Sequence, residues 1–315
     1  MTQNTQITSE NIQIPRASLL RYATYASVFT AFALIVAKIA AFVFTGSMAI
    51  LATVVDSCLD LLASFINMLA VRQATLPADH DHRFGHGKFE PLAGLGQAAF
   101  VFGSGFFLLL NAVGKIGKDY EIENIGVGIT VMAFSIVMTG ILLAIQYYVI
   151  KKTKSVAIQA DKAHYTGDLL INGSVIISLL ISKFFNLHYV DIIFAILIAL
   201  YLMYTATTIL ITSTKLLTDS ELPDDERKKI LDIIMSNNKI AGAHDLRTRS
   251  SGDKRFIQFH LEINRHLSLL EAHAIADEVE IAILDVFPDA EVLIHEDPSD
   301  FFENHPEICY QMNSG

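Results

Sequence analysis

The first two thirds of the chain falls into six long apolar stretches, at about 19–44, 48–72, 90–114, 125–150, 157–184 and 190–212. Each reaches the roughly 20 helical residues that a hydrocarbon core of about 30 Å requires. Only Thr45, Gly46 and Ser47 separate the first two, which predicts a tight hairpin of helices. The fifth differs, because Asp161, Lys162, His164 and Asp168 interrupt its first half and lower its hydropathy. From Leu222 the periods shorten. A helix over Pro223–Ser236, strands over Ala241–Arg249 and Arg255–Asn264, a helix over Ser268–Val286 and a short strand over Ala290–His295 are predicted. In the second strand Phe256, Gln258, His260 and Glu262 alternate with Ile257, Phe259, Leu261 and Ile263, the mark of a sheet with two unlike faces. Ser250, Ser251, Gly252 and Asp253 between the two strands signal a hairpin turn. The expected fold class is an all-α six-helix transmembrane domain followed by a C-terminal cytoplasmic α+β domain of order αββαβ. Its expected bounds are a tail at 1–16, the membrane domain at 17–213, the soluble domain at 214–298 and a second tail at 299–315.

Composition sharpens this division. A chain that is 52% hydrophobic, with a mean hydropathy of +0.43 and no Trp, is suited to lipid as a solvent. The net charge of −10 is unevenly placed: from Leu217 onward the chain carries −12, and before it +2. A mildly basic membrane part and an acidic soluble part disfavour nucleic-acid binding. Cys58 and Cys309 lie too far apart in character and sequence to imply a disulfide framework, which fits a reducing compartment. Arg16, Arg21, Arg72, Arg83, Lys88, Lys151, Lys152 and Lys154 flank one side of the spans, against Lys115, Lys118 and Lys183 on the other, where Asp119, Glu121 and Glu123 also fall. That asymmetry places both termini in the cytoplasm.

Candidate chemistry concentrates inside the membrane. Asp56 and Asp60 are four apart in the second helix, and His164 and Asp168 are four apart in the fifth, so each pair shares one helical face. An Asp near the centre of a bilayer costs about 2.5–3.5 kcal/mol on insertion scales, so two such pairs call for a cation or a proton. Carboxylate oxygens with one imidazole nitrogen suit zinc, and ferrous iron or cadmium acceptably, whereas magnesium and calcium prefer oxygen alone. A purely interhelical hydrogen-bond network is the plainer alternative. No H-E-x-x-H motif is present, which removes the intramembrane metalloprotease reading.

Two further clusters lie outside the spans. Pro77–His86 holds Asp79, His80, Asp81, His82 and His86, a density of ligands that solvated loops also show. In the soluble part His244, His260, His273 and His295 fall on three strands and one helix, with Asp297 just beyond the last strand. Spacing alone leaves open whether they converge.

Val55-Asp56-Ser57 followed by Asp60, with His164-Tyr165-Thr166-Gly167-Asp168, resembles the cation diffusion facilitator family. Phe84-Gly85-His86-Gly87-Lys88 and Ala243–Arg249 resemble its bacterial zinc and ferrous-iron efflux members, of the YiiP/FieF type. The resemblance covers roughly residues 17–300. It implies a homodimeric secondary transporter, not an enzyme, in the bacterial inner membrane, exporting Zn2+ (or Fe2+, Cd2+) in exchange for protons by alternating access. By the same resemblance Asp56, Asp60, His164 and Asp168 are the transport site, and Asp79, His82 and His86 a second metal site. A binuclear zinc site would use His244, His260, His273, His295 and Asp297 in a metallochaperone-like domain. Lys88 and Asp219 would form a charge interlock between membrane and cytoplasmic parts. His80, His266 and His305 have no counterpart, and Glu296 stands where relatives can carry a neutral amide.

Overall fold

The computed structural model describes residues 15–46, 48–116, 126–185 and 189–299. The chain separates into two compact units. One takes the described residues up to Thr75 together with Leu92–Leu210; the other takes Leu76–Pro91 with the described residues from Ile211. The expected terminal tails lie largely outside the described residues, as do Ser47 of the first hairpin and Lys118, Asp119, Glu121 and Glu123.

Six long helices build the first unit, with only the start of α3 and the end of α6 counted in the second: α1 (Arg16–Thr45), α2 (Met48–Ala74), α3 (Phe89–Gly114), α4 (Gly126–Thr153), α5 (Val156–Phe185) and α6 (Val190–Leu217). All but α5 are long and apolar enough to cross a membrane. Its polar first half keeps α5 below that hydropathy, as its sequence foretells. In α1 the buried positions Leu20, Ala23, Thr24, Ser27, Thr30, Ala31, Leu34 and Ile35 recur at the spacing of one helix face. Phe29, Phe32, Val43 and Phe44 look outward, with Phe44 88% exposed, which only an apolar solvent tolerates along helices of this length. Gly46 ends α1 at φ 61°, donating its N–H to the Phe42 carbonyl at 2.7 Å, a left-handed cap that suits glycine. Ser155 starts α5, its hydroxyl accepting from the Ile158 N–H at 3.3 Å.

Polar groups join these helices. Asp161 of α5, fully buried, accepts from the Ser27 hydroxyl of α1 at 2.5 Å and from the Gln146 amide of α4 at 2.8 Å. One turn on, the Tyr165 hydroxyl donates to the Ser27 carbonyl at 3.2 Å and lies 2.8 Å from the Ser64 hydroxyl of α2. Four helices are thus fixed around the turn of α5 that precedes Asp168.

The second unit contains α7 (Asp224–Met235), β1 (Ile240–Ser251), β2 (Lys254–Ile263), α8 (Leu269–Val286) and β3 (Ala290–Pro298). The sheet order is β1-β2-β3, with β1 antiparallel and β3 parallel to β2. Ile257, Phe259, Leu261 and Ile263 of β2 bury against Ile230 and Ile234 of α7 and Ile275, Val279 and Ile283 of α8. The other face of β2 therefore remains free for polar residues. Ser268 and Glu271 form a reciprocal capping box that starts α8. The hairpin turns at Gly252, φ 67°, with Ser251 opposite Lys254. β3 runs further than its apolar pattern indicates, because parallel pairing continues from His260↔His295 through Glu262↔Asp297 to Ile263↔Pro298. Asp297 consequently lies within the strand, not beyond it.

Candidate metal centres

In the first unit α2 and α5 bring Asp60, His164 and Asp168 together, with one ligand atom of each within 4.8 Å of the others. His164 Nε2 is 3.1 Å from Asp60 Oδ1 and 3.7 Å from Asp168 Oδ2. The imidazole is 7% exposed, set edge-on to the rings of Phe100 and Tyr165, and its Nε2 is buried. A buried nitrogen set between two carboxylates from different helices is arranged as a ligand for a cation. Asp56 is one turn before Asp60 on α2 and stands outside this tight trio, exposed, within electrostatic range of Asp60, Lys38 and His164.

The loop before α3 forms the second cluster, Asp79, His82 and His86. Asp79 Oδ1 accepts from the His82 N–H at 2.7 Å and the Asp81 N–H at 3.0 Å, closing a tight turn. Those backbone donors, His82 first, hold the Asp79 carboxyl below the ordinary carboxylate value and keep it anionic. His86 is buried. Its Nδ1 lies 3.1 Å from the Pro77 carbonyl while Nε2 faces Asp79 Oδ2 at 3.3 Å. A backbone carbonyl on one ring nitrogen orients the other toward a metal. His80 is exposed and lies 3.6 Å from Asp81.

The loop is seated on the β1–β2 hairpin within the same unit. Phe84 packs edge-on to Phe256, and the Arg249 guanidinium lies over both rings, 5.0 and 4.5 Å from their centroids. Gly85 takes φ 80°, and a Cβ on Gly87 would collide with the Ser251 carbonyl and come within 2.8 Å of the Gly252 nitrogen. Lys88 donates to Asp219 at 2.8 Å and to the Leu217 carbonyl at 3.2 Å. Asp219 also lies 3.5 Å from Arg249.

The third cluster follows from sheet register. His244 pairs with His260 across β1 and β2, and His260 with His295 across β2 and β3, which places three imidazoles in one row. Asp297 serves all three. Oδ2 is 2.7 Å from His260 Nδ1 and 3.5 Å from His244 Nε2, while Oδ1 is 3.2 Å from His295 Nε2. His273 on α8 is not drawn into this row; its nearest acids are Asp277 at 3.7 Å and Glu296 at 3.9 Å. Sequence reasoning missed Glu262, 3.1 Å from His244 Nδ1, and Asp245, 3.9 Å from His260 Nε2. It also missed Lys38, which reaches α2 from α1. The one charge in the apolar stretch of α1 beyond Arg21 was the signal available for Lys38.

Six long helices, five of them of spanning hydropathy, with acids and a histidine gathered between two of them, define a metal-handling membrane protein. Residues 24–218 match the cation efflux transmembrane domain and residues 222–299 the cation efflux protein cytoplasmic domain. The chain belongs to the cation efflux family and is a multi-pass membrane transporter, not an enzyme. It is 44% identical over 280 residues to the cation-efflux pump FieF of Salmonella choleraesuis strain SC-B67, covering 89% of this chain and 93% of that one. The FieF pump of Salmonella typhimurium strain LT2 matches with the same identity and coverage. Among solved structures, the metal-bound C-terminal domain of the CzcD transporter from Thermotoga maritima matches at 26% identity. It covers 25% of this chain and 93% of that chain, with a TM-score of 0.24.

Proposed function

We propose that this cation efflux transporter exports Zn2+ in exchange for protons, with Fe2+ and Cd2+ as further substrates, by alternating access in a homodimer. The observation that carries the reading is the buried Nε2 of His164 between Asp60 of α2 and Asp168 of α5. Asp56, Asp60, His164 and Asp168 then hold the cargo. A nitrogen among carboxylate oxygens favours zinc over harder cations. Metal needs ionised carboxylates and a neutral imidazole, so protons arriving from outside lower affinity and drive release. The relatives named FieF are cation-efflux pumps, which supports the direction of transport.

In this reading Asp79, His82 and His86 form a weaker, exchangeable site in the loop. His244, His260, His273, His295 and Asp297 form a binuclear zinc site at a dimer interface, with Asp297 as the bridging carboxylate. Lys88 and Asp219 act as the charge interlock. The membrane domain extends over 17–213 and the cytoplasmic domain over 214–298, with both termini in the cytoplasm and the protein in the inner membrane.

Reconstituted vesicles test this. Zinc flux should follow an imposed pH gradient, vanish when it is collapsed, and be lost in Asp60→Ala. Zinc flux indifferent to the gradient would indicate a channel. Binding without flux would indicate a membrane-anchored sensor.

A further inference from the structure

Lys38 is an ionisable residue inside α1 to which the transport reading gives no task. Its ammonium donates to the Ser57 hydroxyl at 2.5 Å and the Thr53 carbonyl of α2 at 3.3 Å. Those two acceptors bracket Asp56 along the helix, and the charge lies within electrostatic range of both Asp56 and Asp168. Intramembrane lysines are costly, and one that reaches sideways to a neighbouring helix calls for a partner of opposite charge there.

Charge at the site supplies that partner. Asp56, Asp60 and Asp168 bring three negative charges. A dication on a neutral His164 leaves one uncompensated, and an unpaired charge is what a low-dielectric interior tolerates least. We propose that Lys38 is a tethered cation of the transport site: it neutralises the three-carboxylate set when a divalent ion is bound, and limits how tightly that ion is held. The inference rests on the reading of Asp56, Asp60, His164 and Asp168 as the transport site.

Two roles for Lys38 predict opposite signs. If Lys38 only splints α1 to α2, removing it loosens the ligand set and weakens zinc. If it balances charge, removing it leaves the carboxylates with more pull on the dication. Zinc then binds more tightly and leaves more slowly.

Lys38→Met, which keeps the length of the side chain without its charge, is therefore expected to lower the apparent KM for zinc by roughly tenfold. It should also lower the maximal flux in reconstituted vesicles, whereas Lys38→Arg behaves as the parent protein. Calorimetric zinc titration of the purified full chain should show the same tightening in Lys38→Met, and it gives a reading even where flux is too low to measure. A raised KM, or zinc affinity and flux both unchanged, overturns the proposal. Asp60→Ala in the same vesicles separates the two readings. If zinc flux survives it, the transport-site assignment falls; if it does not and Lys38→Met leaves KM unaltered, only the role of Lys38 falls.

Discussion

At His164 the side chain is closed in by Phe100 and Tyr165, while Nε2 faces two carboxylates that come from different helices. Replacing that nitrogen by oxygen makes a harder ligand set. His164→Asp is therefore expected to reduce discrimination of zinc over manganese and to flatten the pH dependence of flux, measured metal by metal in vesicles under matched gradients. Unchanged selectivity would remove His164 from this role. Asp60, His164 and Asp168 were legible because i,i+4 spacing, from Asp56 to Asp60 and from His164 to Asp168, puts charged residues on one helix face, even in α5, whose hydropathy they lower. Lys38 was not, since its partners Thr53 and Ser57 belong to another helix and only packing joins them. Glu262 and Asp245 were hidden for a related reason. Which acid meets which histidine depends on strand register and on a break in it after His244, where Asp245 takes φ 51°.

Among the elements, the loop before α3 shows why a short motif has the residues it has. Phe84 stacks under Arg249, Gly85 turns the chain, His86 points inward, Gly87 lets the hairpin approach, and Lys88 closes on Asp219. Gly87→Ala should push the loop off Ser251 and weaken zinc at Asp79, His82 and His86 while leaving the other clusters intact. Calorimetry would register this as one binding event weakened or lost. Burial opposes ionisation of Asp219, but the Lys88 hydrogen bond and the nearby Arg249 outweigh it and leave this carboxyl below the ordinary value of 3.8. A depressed acid contributes stability above its unfolded value and loses it as pH falls through the folded one. The Lys88–Asp219 contact thus persists at neutral and mildly acidic pH and is lost only below 3.8. The pair is partly exposed, so its worth is about 0–1 kcal/mol. Asp219→Asn should speed hydrogen exchange across 84–88 at neutral pH, and no change would show that the stack on Arg249 suffices alone. At this scale the alternation in β2 correctly gave its buried face, whereas the length of β3 could not be read from apolar spacing, because backbone pairing with β2 extends it past His295.

For the whole molecule, charge is the property that most constrains assembly. The chain from Leu217 carries −12, so two cytoplasmic domains brought side by side repel each other unless cations intervene. The row His244, His260 and His295 converges on one carboxylate, with Glu262 behind it, and is a place where zinc would remove part of that repulsion. His273 stands apart from the row within its own chain and is 64% exposed, free to meet a second copy. If the cluster supports the proposed homodimer, chelating zinc should weaken self-association of the detergent-purified protein by at least tenfold, about 1.4 kcal/mol. His260→Ala and Asp297→Asn should reproduce the loss with zinc present. Salt gives an internal control, because raising it screens the acidic domains and should partly restore association in the chelated protein. Sedimentation across zinc and salt concentrations measures all three effects. Association indifferent to chelation, in protein that still transports zinc, would place dimerisation elsewhere and leave the cytoplasmic cluster as a binding site only.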